Sequence, residues 1–400
     1  MVQSGYSFRR AERIGAIELS PIVAITEAAA RLRAEGRDIV ALSTGEPDFP
    51  TPAHVCDAAT AAMKAGDTRY TATAGTPALR AAIAANAGFP ATPDQVLVST
   101  GAKQALFNLF QATLNPGDEV IIPAPYWSSY RDIVGICGGR VIELPCGPED
   151  GFKLRPERLA AAITGQTRWL LLNSPNNPSG AMYSRAEIGA LGAVLRDHPH
   201  VAVATDEIYQ HIAYAPFTAM RVALPDLADR IATINGVSKA YAMTGWRIGW
   251  TIAPKPLIDA MAAVQGQSTS GACSIAQAAA LAALTGDQSL LVERAERFRS
   301  RRDRVVKALN AMPHLSCPVP DGAFYVFPSC QDAIGRTTAE GSVIADDVAF
   351  CAHVLASEGL ALVPGSAFGM AGHFRLSYAY GDADLTDGLA RLARALSALG

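Results

Sequence analysis

Residues 231–250 read Ile-Ala-Thr-Ile-Asn-Gly-Val-Ser-Lys-Ala-Tyr-Ala-Met-Thr-Gly-Trp-Arg-Ile-Gly-Trp. From Ile231 to Val237 the residues are mainly apolar or β-branched, which predicts a buried strand ending on Ser238-Lys239. Thr244-Gly245-Trp246-Arg247 then leads into a second apolar run, Ile248 to Ala253. A lysine at the end of a buried strand is costly to hold as a cation. Burial, with Arg247 close by in sequence, would lower its pKa and make it a usable amine nucleophile. The plain alternative is a lysine that leaves the strand end for solvent, and this stretch alone weights the two equally.

Working outward, strand-like and helix-like segments alternate from about residue 52 to 285. The predicted strands are Val96–Ser99, Glu119–Pro123, Arg140–Leu144, Trp169–Asn173, Val201–Asp206, Ile231–Ser238 and Ile248–Ala253. Ala/Leu-rich helical patterns such as Lys103–Thr113 and Ala186–Arg196 lie between them. Such alternation predicts an α/β domain with a mainly parallel seven-stranded sheet covered on both faces. On the N-terminal side an arm precedes a helix (Ile22 to Glu35), a short strand (Ile39–Ser43) and a proline-stiffened turn, Gly45-Glu46-Pro47-Asp48-Phe49-Pro50-Thr51-Pro52. A rigid turn of this kind either presents backbone N–H groups to an anion or simply joins domains. On the C-terminal side a long charged helix (286–311) precedes strands at Ala323–Phe327 and Phe374–Tyr378 in a smaller α+β unit. The expected division is residues 1–50 as arm and part of the small domain, 51–300 as the large domain, and 301–400 as the small domain.

With 400 residues, two domains are expected. Half the residues are hydrophobic and 18% charged, the composition of a globular protein with a large interior. A net charge of -3 argues against nucleic acid or a membrane surface as the main partner. The basic cluster Arg297–Arg304 reads as a solvated helix face. Seven scattered cysteines without C-x-x-C fit buried thiols in a reducing compartment, and the N-terminus lacks the apolar core of a signal peptide. The expected location is the cytoplasm. No metal site is expected.

In open α/β sheets ligands bind beyond the carboxyl ends of the strands. Along this chain unusual residues gather there. Val96–Ser99 runs into Thr100-Gly101-Ala102-Lys103 and a helix, whose free N–H groups and positive dipole end suit a phosphate. Trp169–Asn173 leads into Ser174-Pro175-Asn176-Asn177-Pro178-Ser179-Gly180, too elaborate for a plain connection. Val201–Ala204 ends in Thr205-Asp206-Glu207-Ile208-Tyr209, where a carboxylate either finds a partner or caps the next helix. A phosphate-type turn, an amide, a carboxylate, a phenol and a lysine thus share one sheet edge. That layout suits pyridoxal phosphate, which needs a lysine for its Schiff base, a carboxylate for its ring nitrogen and a helix end for its phosphate.

With these stretches, Gly45–Phe49, Gly101–Phe110, Pro125-Tyr126-Trp127, Asn173–Gly180, Asp206–Tyr209, Ser238–Gly249 and Arg375–Tyr378, the chain resembles the class I/II, fold-type I pyridoxal phosphate-dependent aminotransferases. Within them it is most similar to the bacterial aspartate aminotransferases. The resemblance implies that Lys239 holds the cofactor and later moves the substrate proton, and that Asp206 pairs with the ring nitrogen. Tyr209 and Asn177 would bond the ring hydroxyl, and Trp127 would stack on the ring. Gly101, Ala102, Ser238 and Arg247, with Lys103 in the same first turn, would surround the phosphate. Arg375 would grip the substrate α-carboxylate as a fork that lysine cannot imitate, aided by Gly45 and Asn177. Tyr70 would reach the phosphate of a neighbouring subunit, which implies a homodimer.

Two departures stand out. The position three before the lysine, often a phosphate-binding serine in the family, is Gly236, which leaves Ser238 as the substitute. Glu18-Leu19-Ser20 stands where prephenate-using relatives carry Lys-Pro-Ser, which disfavours prephenate. In the branch resembled, Lys103 helps read a distal carboxylate; by position Ser20 and Ser270 would line the same pocket. The substrates expected are aspartate or glutamate with 2-oxoglutarate in a ping-pong cycle. A broad or aromatic amino donor, or a lyase on the same scaffold, is the alternative. A regulatory sensor is disfavoured for want of a helix-turn-helix before residue 20. A dinucleotide enzyme is disfavoured because Gly135-Ile-Cys-Gly-Gly is not G-x-G-x-x-G.

Overall fold

A computed structural model describes residues 9–15, 17 and 21–400. Among the described residues twelve strands form three sheets: β1 (Val40–Ala41), β2 (Val96–Ser99), β3 (Glu119–Ala124), β4 (Arg140–Pro145), β5 (Thr167–Asn173), β6 (Ala202–Asp206), β7 (Ile231–Gly236), β8 (Gly249–Ile252), β9 (Tyr325–Val326), β10 (Leu360–Ala361), β11 (Val363–Pro364) and β12 (Phe374–Ser377). The large sheet has the order β2-β8-β7-β6-β5-β3-β4. Its strands run parallel except β8, which is antiparallel to both β2 and β7. The architecture is α/β with a mainly parallel seven-stranded sheet, as expected.

The central strands carry no alternation because both faces are covered: β7 is buried along its length, and β5 is buried apart from Arg168. The helices Ala102–Thr113 and Lys255–Gly266 close one face with Leu106, Leu109, Phe110 and Met261. Arg185–Asp197 packs Ile188, Leu191 and Leu195 against β5 and β6 on the other. Register sets the level of the site residues. Asn173 lies beside Asp206, and Gly236 beside Gly249, which in turn pairs with Ser99. Because β8 runs backwards, Arg247 before its start stands at the same edge as the residues that follow β2, β5, β6 and β7.

β1 pairs with β10, and β11-β12-β9 form a second small sheet. The helix Ser289–Asn310 contributes Phe298, Val305 and Leu309 to the core beneath them. Its basic cluster is not simply a solvated face. Arg301 binds Asp48 through two bonds of 2.7 Å, and the guanidiniums of Arg294, Arg297 and Arg301 lie 5.1, 5.6 and 5.6 Å from the Phe49 ring. The sequence pattern cannot show that the Gly45–Pro52 turn folds over this helix. All seven cysteines are free, five of them buried. Among the described residues no single helix is long and apolar enough to cross a membrane, and no His/Cys/Asp/Glu group could hold a metal ion.

Candidate active site

Beyond the carboxyl edge of the large sheet lies a cavity of about 350 Å³. Lys239, two residues past Val237, enters it and donates from Nζ to the Gly45 carbonyl at 2.8 Å. Burial lowers its pKa to about 8; Arg375 and Arg247 push the same way, while Glu46 and Asp206 oppose them. A substantial neutral fraction at neutral pH is what an amine nucleophile requires.

Asp206, at the end of β6, is 4% exposed. Its Oδ2 accepts the Tyr130 hydroxyl at 2.7 Å and its Oδ1 accepts the Ile208 N–H at 3.2 Å. Burial raises its pKa to about 6, opposed by those two bonds and by Lys239. The carboxyl is therefore mainly ionised at neutral pH, held by neutral donors that leave its charge available to a cation.

Arg375, on β12, is 1% exposed. Its Nη1 donates to Asn177 Oδ1 at 2.9 Å and its Nη2 to the Ser43 carbonyl at 2.5 Å. Its Nε has no partner, and no carboxylate among the described residues pairs with it. Burial lowers its pKa. A buried guanidinium with an orphaned donor and no counter-ion is a site waiting for an anion. Asn177 is itself fixed, its N–H donating to Asn173 Oδ1 at 2.7 Å.

The opposite end is cationic. The helix Ala102–Thr113 starts at the cavity with Gly101 at φ +84°, and a Cβ there would come within 2.7 Å of the Arg247 guanidinium. Gly101 therefore makes room for the guanidinium to lie beside the helix end. Its own N–H donates to the Ser99 carbonyl at 2.7 Å. Ala102 and Lys103 supply the first-turn N–H groups. Arg247, at φ +58°, is braced by a 2.8 Å bond to the Thr244 carbonyl. Ser238 lines the same cavity. At Gly236 a Cβ would meet the Ile248 carbonyl at 2.9 Å and Gly249 Cα at 3.0 Å, so the β7–β8 packing has no room for the family's serine.

Lys103 Nζ lies 4.8 Å from the Trp127 ring, with its pKa lowered by burial and by Arg247 against Asp132. Tyr209 is buried, its hydroxyl 3.0 Å from that of Tyr325. The cavity thus brings together Gly45, Ala102, Lys103, Trp127, Asn177, Asp206, Tyr209, Ser238, Lys239, Arg247 and Arg375. Ser20 lies outside the described residues. Ser270 does not line the cavity: it sits in an exposed bend at φ +60°. Tyr70 is 97% exposed and does not reach the cavity of its own chain. Tyr130, Tyr325, Asn173 and Glu46 line the cavity with no role assigned from sequence. The one available signal was Tyr130, which follows Trp127 by three residues.

The family description "aminotransferase class I and II" matches residues 37–392. The chain belongs to the class I and II aminotransferases. Its reaction is transamination, the movement of an amino group between an amino acid and a 2-oxo acid. The aspartate aminotransferase of Rhizobium meliloti (strain 1021) is 50% identical over 98% of this chain and 97% of its own length. The aspartate/prephenate aminotransferase of Cereibacter sphaeroides is 49% identical over 95% and 97%. A crystal structure of the R. meliloti aspartate aminotransferase matches 98% of this chain and all of its own, with a TM-score of 0.96 at 49% identity.

Proposed function

We propose that this aminotransferase binds pyridoxal 5′-phosphate at Lys239 and moves amino groups between aspartate or glutamate and 2-oxoglutarate. The observation that carries the reading is the placement of three charges around one cavity: a half-buried amine of lowered pKa, a buried carboxyl, and a buried guanidinium lacking an anion. The residues fit the cofactor: the room left by Gly101 beside Arg247 forms a phosphate cradle at a helix end, and Asp206 stands ready for a ring nitrogen. Bound there, the pyridine ring supplies the electron sink that makes the substrate α-proton acidic.

In this reading each residue has a task. Asp206 keeps the ring nitrogen protonated through its negative charge. Tyr209 and Asn177 hold the ring hydroxyl, Trp127 covers the ring face, and Ala102, Ser238 and Arg247 hold the phosphate. Arg375 takes the α-carboxylate with its outward N–H groups and fixes the Cα–H toward Lys239. With the cofactor bound, the Lys239 amine would take the proton from the substrate Cα and deliver it to the neighbouring cofactor carbon within the same half of the exchange, and would move it the opposite way for the second substrate. Lys103 faces the side chain of the substrate, where a second carboxylate would meet it. The names of the relatives above support aspartate as donor. The exposed Tyr70 supports a homodimer in which each subunit lends that hydroxyl to its partner. We place the protein in the cytoplasm and read its domains as 1–50 with 301–400 around 51–300.

The test uses aspartate carrying ¹⁵N with unlabelled 2-oxoglutarate. Wild type is expected to deliver the label to glutamate, and Lys239→Ala to deliver none. Label released as ammonia would instead indicate a lyase, and transfer by Lys239→Ala at a near-normal rate would refute the assignment.

A further inference from the structure

Tyr325 lines the same cavity. It is 1% exposed, on β9, beside β12, which carries Arg375. Three sets of contacts converge on it. Its ring lies under the Arg375 guanidinium at 4.5 Å, and the Phe368 ring lies 5.0 Å from the same cation. Its hydroxyl is 3.0 Å from that of Tyr209. The same hydroxyl occupies the space that a side chain at residue 45 would need, so Gly45 is what lets it in. Gly45 in turn accepts the Lys239 amine through its carbonyl.

We propose that Tyr325 is a positioning residue with two separable parts, a ring that fixes the plane of Arg375 for the α-carboxylate and a hydroxyl that aligns the Tyr209 proton toward the cofactor. The inference rests on the cofactor reading above and deepens it. Arg375 has no carboxylate to orient it, so the neighbouring ring faces and two carbonyl-type acceptors must do so. A hydroxyl that donates to Tyr209 Oη leaves the Tyr209 proton free to point elsewhere and strengthens it as a donor, because linked hydrogen bonds polarise one another. An ionised ring hydroxyl on the cofactor is the acceptor that would profit. The Phe324 ring, packed edge-on to Tyr209 at 5.4 Å, already restrains the position of the Tyr209 ring, so the Tyr325 hydroxyl acts on the proton rather than on the ring.

Two variants separate the parts. Tyr325→Phe removes the hydroxyl and keeps the ring. It is expected to raise the pH midpoint of the bound cofactor's visible absorption change by about half a unit to one unit, with KM for aspartate changed less than about twofold. Tyr325→Leu removes both parts. It is expected to give the same midpoint shift and a roughly tenfold higher KM for aspartate. A ring needed only for packing would lower the melting temperature of Tyr325→Leu and leave the midpoint unmoved in both variants. An unmoved midpoint in Tyr325→Phe, beside a normal wild-type band, overturns this inference alone. A wild-type protein with no pH-dependent band overturns the cofactor reading and this inference with it. Should Tyr325→Leu fail to fold, the Tyr325→Phe titration still decides.

Discussion

Two arginines sixteen residues apart in the C-terminal part of the chain are both almost fully covered, yet they are treated in opposite ways. Arg391, on the helix Asp382–Ser397, uses every nitrogen: it bonds Asp387 at 2.9 and 3.1 Å, the Asp38 carbonyl at 3.0 Å, the Glu358 carbonyl at 2.9 Å, and the Asp38 carboxylate. Hydrogen bonding to Asp387 raises its pKa. Arg375 meets one amide oxygen and one carbonyl, keeps its Nε unpaired, and has its pKa lowered by burial. Arg391 ties the Asp38 turn to the last helix. Arg375 carries an unpaired charge that only a bound anion can complete. A buried charge with all its partners present is structural, and one with a partner missing marks the place of a ligand.

The comparison breaks most readily by methionine replacement. Arg375→Met is expected to lower kcat/KM roughly a thousandfold, the effect of about 4 kcal/mol of lost charge-assisted bonding. Its unfolding free energy should stay equal or rise, since an unpaired buried cation has been removed. Arg391→Met is expected to leave kcat/KM within about twofold and to lose about 1–3 kcal/mol of stability by urea titration. If both variants lost stability alike and kept activity, the distinction between them would be gone.

A milder probe is Lys103→Met. It is expected to raise KM for aspartate roughly tenfold while sparing phenylalanine, because a second carboxylate loses its cation. Equal losses for both donors would remove Lys103 from substrate selection.

The smallest effect concerns Lys239 in the cofactor-free protein. Its folded pKa of about 8 lies below the ordinary lysine value of 10.5, so between these the unfolded chain binds more protons than the folded one. Stability from this group therefore rises with pH above about 8, and below that the protein bears the cost of a buried cation. Lys239→Met, free of that cost, is expected to melt above wild type at pH 7, with the gap narrowing as the pH rises from about 8. A gap that does not change with pH would show that the amine keeps its ordinary pKa.

How much of this was legible in the sequence follows from what each residue type signals. β5 and β6 were readable because strands covered on both faces lose their alternation, and the polar residues that end them, Asn173 and Asp206, then stand out. The reversed direction of β8 was not readable, since an apolar run has no polarity of its own. Tyr130 and Tyr325 were missed because a lone tyrosine in an apolar context is ordinarily core; what makes them functional is a partner 76 residues away in one case and 116 in the other. Ser270 was assigned by position alone, and within its own chain it stands exposed in a left-handed bend away from the cavity. The crowding at Gly236 depends on how β7 meets β8, a matter of register that composition does not carry.

The measurement closest to the centre is borohydride reduction of the protein loaded with pyridoxal phosphate, followed by peptide mass mapping. A single reduced pyridoxyl phosphate adduct on Lys239, absent from Lys239→Ala, is the expected result. Protein that stays colourless in excess cofactor, or an adduct spread over surface lysines with none at 239, would contradict the account.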